Sequence, residues 1–133
     1  HGHLVIVNSA ACYFSFPAAT GYTAARWAML GFAKSLQADL HGSNFRVSLV
    51  NLGKVSSPYF TNNPISEERI PKIVNYLVPT MTETYSGKVV AKVAAKPKNI
   101  VIRPFILSIL VFFNRITPGI FTWLMRVTAY KKK

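Results

Sequence analysis

Three side chains near the amino terminus have the types and spacing that proton transfer to or from an oxygen atom requires. Ser9 follows His3–Val7, an apolar run that predicts a strand buried on both faces of a parallel sheet. Tyr22 comes thirteen positions later, where a helical pattern begins, and Arg26 follows it by four. Residues four apart share one helix face, so we expect the phenol and the cation side by side. Open α/β sheets bind ligands at the carboxyl edge of their strands, where Ser9 is expected.

These residues belong to a longer pattern that resembles the short-chain dehydrogenase/reductase family. The matching segments, in chain order, are GHLVIVNSAA, GYTAARWAMLGFAKSLQADL and FRVSLVNLGKVSS. The family has a serine, Tyr-x-x-x-Lys on the next helix, and a strand that ends in Pro-Gly-x-Val-x-Thr. The resemblance is clear over residues 1–60 and extends in outline to 103. It implies the C-terminal half of a Rossmann-type, doubly wound parallel α/β sheet.

The resemblance implies a role for each of the three side chains. Tyr22 would be the general acid/base, and Ser9 would hold the substrate oxygen by a hydrogen bond. Arg26 occupies the lysine position, which together with the tyrosine binds the cofactor through the nicotinamide ribose. Arginine keeps the positive charge, but its planar fork is bulkier and does not release a proton.

A second group of residues resembles the part of the family that holds the nicotinamide carboxamide. Gly53, Val55 and Ser57 stand at the positions of the family's Gly-x-Val-x-Thr. Ser57 keeps a hydroxyl where the family has threonine, whereas Leu52 replaces the family's proline. The implied cofactor is NAD or NADP, which carries the hydride. A plain turn would explain Gly53 alone.

The family's glycine-rich phosphate turn, Thr-Gly-x-x-x-Gly-x-Gly, does not occur in this sequence. Family members carry that turn in an N-terminal half, so we expect His1–Lys133 to be the C-terminal half of a longer enzyme. Two functions stay open. One is an oxidoreductase that interconverts an alcohol and a carbonyl; the other is a non-catalytic, truncated or altered homologue that dimerises or sits at a membrane. The missing turn and Arg26 both favour the second.

The elements around the site follow from apolar periodicity and chain breakers. A wide apolar stripe predicts a helix from Thr20 to about His41, and Phe45–Leu52 is typical of the next buried strand. The aromatic segment Tyr13–Pro17 either forms a wall of the substrate pocket or packs under the helix. Pro58–Pro79 is predicted to be a mobile segment with a helix start at Ser66–Glu68, and the resemblance implies that this segment is the family's variable substrate lid.

Residues 104–133 differ in character from residues 1–103 and are predicted to be an apolar, basic helical tail. Phe105–Phe113 is nearly all apolar, yet a bilayer-spanning helix needs ~20 such residues. A second apolar helix is predicted over Ile120–Tyr130. No acidic residue follows Glu83, whereas lysine and arginine continue to the end of the chain.

Apolar helices whose only charged residues are basic suit peripheral or monotopic contact with an anionic membrane. The alternatives are packing against the substrate pocket or in a homodimer. The predicted location is the endoplasmic reticulum or another cytoplasm-facing membrane, with the cytoplasm as the alternative. The apolar tail favours a lipophilic alcohol or ketone as substrate, such as a steroid, a retinoid or an acyl-chain ketone. Nucleic acid is not expected despite the net charge of +12, because no recognition motif accompanies the dispersed basic residues.

Length and composition predict one domain with a sizeable core, since half of the 133 residues are hydrophobic. The single cysteine, Cys12, cannot form an internal disulfide and is expected to be a buried structural residue. The three histidines lack metal-ligand spacing, so no zinc site is expected.

Overall fold

A computed structural model describes residues 1–130, which alternate between strands and helices. The strands are β1 (Gly2–Ser9), β2 (Phe45–Leu52), β3 (Val55–Ser56), β4 (Met81–Thr82) and β5 (Ile100–Arg103). The helices are α1 (Thr20–Asp39), α2 (Pro58–Asn62), α3 (Pro64–Glu68), α4 (Lys72–Leu77), α5 (Glu83–Ala95), α6 (Phe105–Ile116) and α7 (Pro118–Val127). The predicted basic end at Lys131–Lys133 lies outside the described residues.

The central sheet has three parallel strands in the order β1-β2-β5, and β3 pairs with β4 in a small second sheet. The last residues of the three strands are in register, Ser9 beside Leu52 and Leu52 beside Arg103. The carboxyl ends of the strands therefore form one edge. The predicted α/β fold with a parallel sheet is confirmed.

Helices cover both faces of the sheet, and alternate residues of each strand face opposite sides. On one face, Val50 of β2 and Val101 of β5 pack with Val93 of α5. On the other face, Leu49 of β2 shares a larger core with Leu107 of α6 and with side chains of α1 and α7. This burial on both sides accounts for the continuous apolar run of β2. The expectation that His3–Val7 is buried on both faces is wrong in part, because Leu4 and Val7 of β1 are about half exposed.

The helix after β1 is predicted over Thr20 to about His41, and α1 ends two residues earlier, at Asp39. The chain leaves the helix through Gly42, whose positive φ of 80° is a conformation that glycine adopts without steric cost. The predicted strand Phe45–Leu52 has the bounds of β2.

The predicted lid segment contains three short helices, α2, α3 and α4. The predicted helix start at Ser66–Glu68 is wrong, because these residues lie inside α3, which begins at Pro64. Proline suits the first helical position, where its missing N–H has no intrahelical partner. The signal of Pro64 therefore outweighs that of the serine and glutamates downstream.

The two tail helices are bent by 114° relative to each other at Thr117. Their inner faces contribute Leu107, Val111 and Met125 to the same core as the sheet and α1. Residues 104–130 thus share a core with residues 1–103. Neither α6 nor α7 is long and apolar enough by itself to cross a membrane, although the bent pair together meets that test by length and composition.

Candidate active site

Ser9 is the last residue of β1 and leads into a single 3-10 turn, Ala10–Cys12. Its Oγ accepts a hydrogen bond from the N–H of Ala11 at 3.2 Å and so caps this turn. A serine hydroxyl that accepts one bond still has its own O–H to donate. Ser9 is half-buried and stands at the carboxyl edge of the sheet, as its position after the apolar run predicted.

Tyr22 lies in the first turn of α1, and its side chain is 45% exposed. Helix α1 packs against β1, β2 and the 3-10 turn. Because α1 returns the chain between two parallel strands, its first turn lies at the carboxyl edge of the sheet. The guanidinium carbon of Arg26 is 4.8 Å from the centre of the Tyr22 ring. The structure therefore brings Tyr22 and Arg26 together, within the range of a cation–π interaction.

Asn8 connects the end of β1 to this part of α1, and sequence reasoning missed its role. The Asn8 side chain is almost fully buried, and its Nδ2 donates a hydrogen bond to the backbone oxygen of Arg26 at 3.1 Å. The bond fixes the residue before Ser9 to the helix turn that follows Tyr22. An asparagine within an apolar strand was the signal that could have indicated it, since buried polar groups need partners.

A second buried asparagine organises the polar groups behind the site. Asn51 is fully buried in β2, opposite Asn8 in the strand register. Its Oδ1 accepts a bond from the thiol of Cys12 at 3.3 Å, and its Nδ2 donates to the hydroxyl of Tyr13 at 3.2 Å. Burial raises the pKa of Cys12 to about 12 and that of Tyr13 to about 12. Both groups are neutral at physiological pH, and the prediction of a buried structural Cys12 is confirmed.

Three buried polar atoms around Tyr22 have no hydrogen-bond partner within residues 1–130: Asn8 Oδ1, Thr23 Oγ1 and Arg26 Nε. Such atoms are rare in native proteins and normally find a partner. An N–H donor on Arg26 and a hydroxyl on Thr23 suit the hydroxyl oxygens of a sugar, which can both accept and donate. The residues present here therefore fit the ribose that adjoins a nicotinamide ring.

Gly53, Val55 and Ser57 follow β2 and so leave the same sheet edge at which Ser9 stands. The Gly53 N–H donates to the oxygen of Arg103 at 2.8 Å, and a Cβ on Gly53 would lie 3.1 Å from Cδ of Pro104. The glycine thus permits a close approach of the chain to itself. Val55 pairs with β4, and the Ser57 side chain makes no capping bond to α2.

Within residues 1–130, the predicted catalytic side chains are not hydrogen-bonded to one another. Within the described part of the chain, no hydrogen bond links the side chains of Ser9, Tyr22 and Arg26. Their common location at one edge results from the strand register, from the direction of α1 and from the Asn8 bond.

The aromatic segment Tyr13–Pro17 packs under the tail and also lines two cavities. The Phe14 ring is buried, 5.9 Å from the ring of Phe121 in α7. An apolar cavity of about 40 Å³ is lined by Phe14 and Phe16 and by apolar side chains of α4, α6 and α7. A second cavity of about 110 Å³ adds the polar residues Ser15 and Asn114. The segment thus packs against the tail helices, and its role as a wall of the substrate pocket stays a prediction.

A parallel sheet with helices on both faces and polar side chains at its carboxyl edge is typical of doubly wound α/β proteins, which bind their ligands at that edge. Residues 1–68, just over half of the chain, match the family model for short chain dehydrogenases. The chain belongs to the short-chain dehydrogenase family, as its motifs indicated.

The chain is similar to parts of longer proteins, among them two curated relatives and one solved structure. The chain is 24% identical over 140 residues to dehydrogenase/reductase SDR family member 7B of Mus musculus, covering 99% of this chain and 42% of that protein. It is 24% identical over 132 residues to dehydrogenase/reductase SDR family protein 7-like of Drosophila melanogaster, covering 98% of this chain and 40% of that protein. The chain thus spans about two fifths of the length of these relatives.

A short chain dehydrogenase from Burkholderia cenocepacia, solved in complex with NADP, has a similar fold. The two structures align with a TM-score of 0.68 over 89% of this chain and 44% of the other, at 14% identity. This likeness supports the Rossmann-type fold.

Proposed function

We propose that this chain is the C-terminal, catalytic half of an oxidoreductase that uses NAD or NADP to interconvert an alcohol and a carbonyl. The observation that carries the proposal is the pairing of Tyr22 with Arg26 in the first turns of α1, at the sheet edge where Ser9 ends β1. Membership of the family and the NADP complex of the similar bacterial enzyme support a nicotinamide cofactor.

In this proposal the phenol of Tyr22 transfers the proton. It gives a proton to the carbonyl oxygen during reduction and takes one from the hydroxyl during oxidation, a contribution of ~10²–10⁴-fold. The Ser9 Oγ already accepts a bond from Ala11, so its O–H is free to hold the substrate oxygen. Arg26 supplies positive charge beside the phenol. When bound, the nicotinamide supplies or accepts the hydride.

The cofactor would be held by two groups of residues. The Nε of Arg26 and the hydroxyl of Thr23 are buried without partners within residues 1–130 and would bind the ribose hydroxyls. The backbone of Val55 and the hydroxyl of Ser57 would hold the carboxamide, with Gly53 allowing the turn between β2 and β3. These assignments follow from the family positions and from the donors and acceptors available there.

The proposed substrate is lipophilic, and the proposed location is a cytoplasm-facing membrane such as the endoplasmic reticulum. The apolar and aromatic side chains of the tail helices, several of which line the small cavity beside α4, support the first point. The apolar tail supports the second and is argued separately below.

The test compares Tyr22→Phe with Tyr85→Phe in the full-length protein. Tyr85 is a matched control, because it is also the third residue of a helix and its side chain is 44% exposed, but it lies on α5. Oxidation or reduction of a panel of lipophilic alcohols and ketones is followed by the absorbance of the reduced nicotinamide. Tyr22→Phe should lower kcat by ~10²-fold or more, whereas Tyr85→Phe should retain it. A Tyr22→Phe enzyme with more than about a tenth of the wild-type rate would remove Tyr22 from the mechanism.

The second candidate function is a non-catalytic homologue, and the observation that favours it is Arg26 at the lysine position. Arg26→Lys restores the family residue, so the proposed enzyme should keep or gain activity. Binding of the reduced cofactor, measured by its fluorescence, separates the two candidates further. Cofactor binding without turnover in both the wild type and Arg26→Lys would favour the non-catalytic protein.

A further inference from the structure

The tail helices expose an apolar surface on the side away from the core. We call this surface the outer tail face; its residues are Phe105, Ile109, Phe112, Phe113 and Ile116 of α6 and Ile120, Trp123 and Val127 of α7. In α6 these positions recur at helical spacing, opposite the buried Leu107 and Val111. A helix on the surface of a water-soluble protein normally has polar residues there.

The charged side chains of the tail helices have a single sign. Each helix has an exposed arginine in its last turn, Arg126 in α7 and Arg115 in α6, and the guanidinium carbon of Arg115 lies 5.9 Å from the centre of the Tyr13 ring. No acidic residue follows Glu83 in the sequence. The surface therefore combines apolar and aromatic side chains with cations, as membrane-interface helices do.

We infer that the outer tail face is a monotopic docking surface for an anionic lipid bilayer, with α6 and α7 lying in its interface. Phospholipid headgroups would pair with Arg115 and Arg126, while the apolar side chains enter the region of the acyl chains. A second copy of the chain fits less well, because a symmetric interface would bring the same arginines of both copies together without carboxylates from the tail. The 114° bend and the short helices suit a surface position instead of a span.

This inference rests on the proposed membrane location. Its test measures lipid binding and not turnover, so it can fail while the proposed oxidoreductase activity holds, and the reverse. The chain has two tryptophans, Trp123 on the outer tail face and Trp27 on α1, and both side chains are about half exposed. In a full-length protein whose tryptophans outside these 133 residues are replaced by phenylalanine, Trp27→Phe leaves Trp123 as the reporter of the tail, and Trp123→Phe is its matched control. The probes are phosphatidylcholine vesicles with and without phosphatidylserine, carrying brominated acyl chains that quench tryptophan at the depth of the bilayer.

With anionic vesicles, Trp123 should shift its emission to the blue and be quenched by the brominated chains, whereas Trp27 should change little. Three results would overturn the inference: Trp123 keeps the emission of a water-exposed indole, Trp27 is quenched as strongly, or Trp123 emits in the blue without vesicles. The last result would mean that a second copy or another part of the full-length protein covers the face.

A second pair of variants separates local headgroup binding from the overall charge. Arg115→Gln with Arg126→Gln should lower the partition coefficient for anionic vesicles by about thirty-fold, because each basic residue at the surface contributes roughly a five-fold factor. Lys88→Gln with Lys92→Gln removes the same charge from exposed positions on α5 and should have a much smaller effect. Circular dichroism verifies that each variant folds. Equal losses from the two double variants would contradict docking through the tail.

Discussion

Leu107→Ala tests whether the tail is part of the core, as its packing indicates. Leu107 is 4% exposed and packs on the sheet and α1 in the larger core cluster. The change removes three carbon atoms, worth about 2.4 kcal/mol at ~0.8 kcal/mol for each buried CH₂ group. The remaining hole adds a cavity term, so we expect a loss of about 3 kcal/mol in the free energy of unfolding, within the ~2–5 kcal/mol range of such substitutions.

The assay is urea denaturation followed by circular dichroism, with thermal unfolding as a second measurement. A loss of about 3 kcal/mol corresponds to a decrease in Tm of roughly 10 °C for a chain of this length. Phe112→Ala is the control on the same helix, because Phe112 is 60% exposed and its removal should cost less than about 1 kcal/mol. If Leu107→Ala unfolds within about 0.5 kcal/mol of the wild type, the tail does not contribute to the core and the reasoning is refuted.

Three further predictions concern the polar network and the turn after β2. Cys12 should react with a disulfide reagent at pH 8 only as fast as the chain unfolds, because burial raises its pKa to about 12; rapid reaction of the folded chain would contradict this. Folding raises the pKa values of Cys12 and Tyr13, so their contribution to stability is complete below about pH 9 and is lost as the pH rises toward about 12. The urea concentration at the midpoint of unfolding should therefore fall across that pH range. The fall should be less steep in the double variant Cys12→Ala with Tyr13→Phe. Gly53→Ala should lower the free energy of unfolding by about 1–3 kcal/mol, because the new Cβ lies 3.1 Å from Cδ of Pro104. Gly87→Ala on α5 is the control and should not destabilise the chain, because a Cβ there meets no atom within 4 Å.

The fold could be predicted from local patterns because two apolar runs, His3–Val7 and Phe45–Leu52, flank a helical pattern, an order that favours a parallel sheet. The burial of the first run could not be predicted in full, since β2 is buried on both faces while Leu4 and Val7 of β1 are about half exposed. The order of Ser9, Tyr22 and Arg26 fixed their place on that scaffold. Local patterns did not indicate which faces of the tail helices are buried, because tertiary packing determines this.

The contacts that hold the site together could not be predicted, because they join residues far apart in the sequence. Asn51 bonds to Cys12 and Tyr13 across about forty positions, through the register that places it opposite Asn8. Local propensity contains no information on such a pairing. What the sequence does contain is the anomaly of a polar amide in an apolar strand.

The two asparagines also suggest why the site is built at this edge. Asn8 binds the backbone of α1 and Asn51 binds the segment after Ser9, so the chain on either side of the serine is anchored by an amide in a strand. Asn114 of α6 adds a third anchor, because its Nδ2 donates to the backbone oxygen of Tyr13 at 2.8 Å. Strand and tail thus fix the same short segment from two sides. A change in the tail that breaks the Asn114 bond should therefore loosen the segment that follows Ser9.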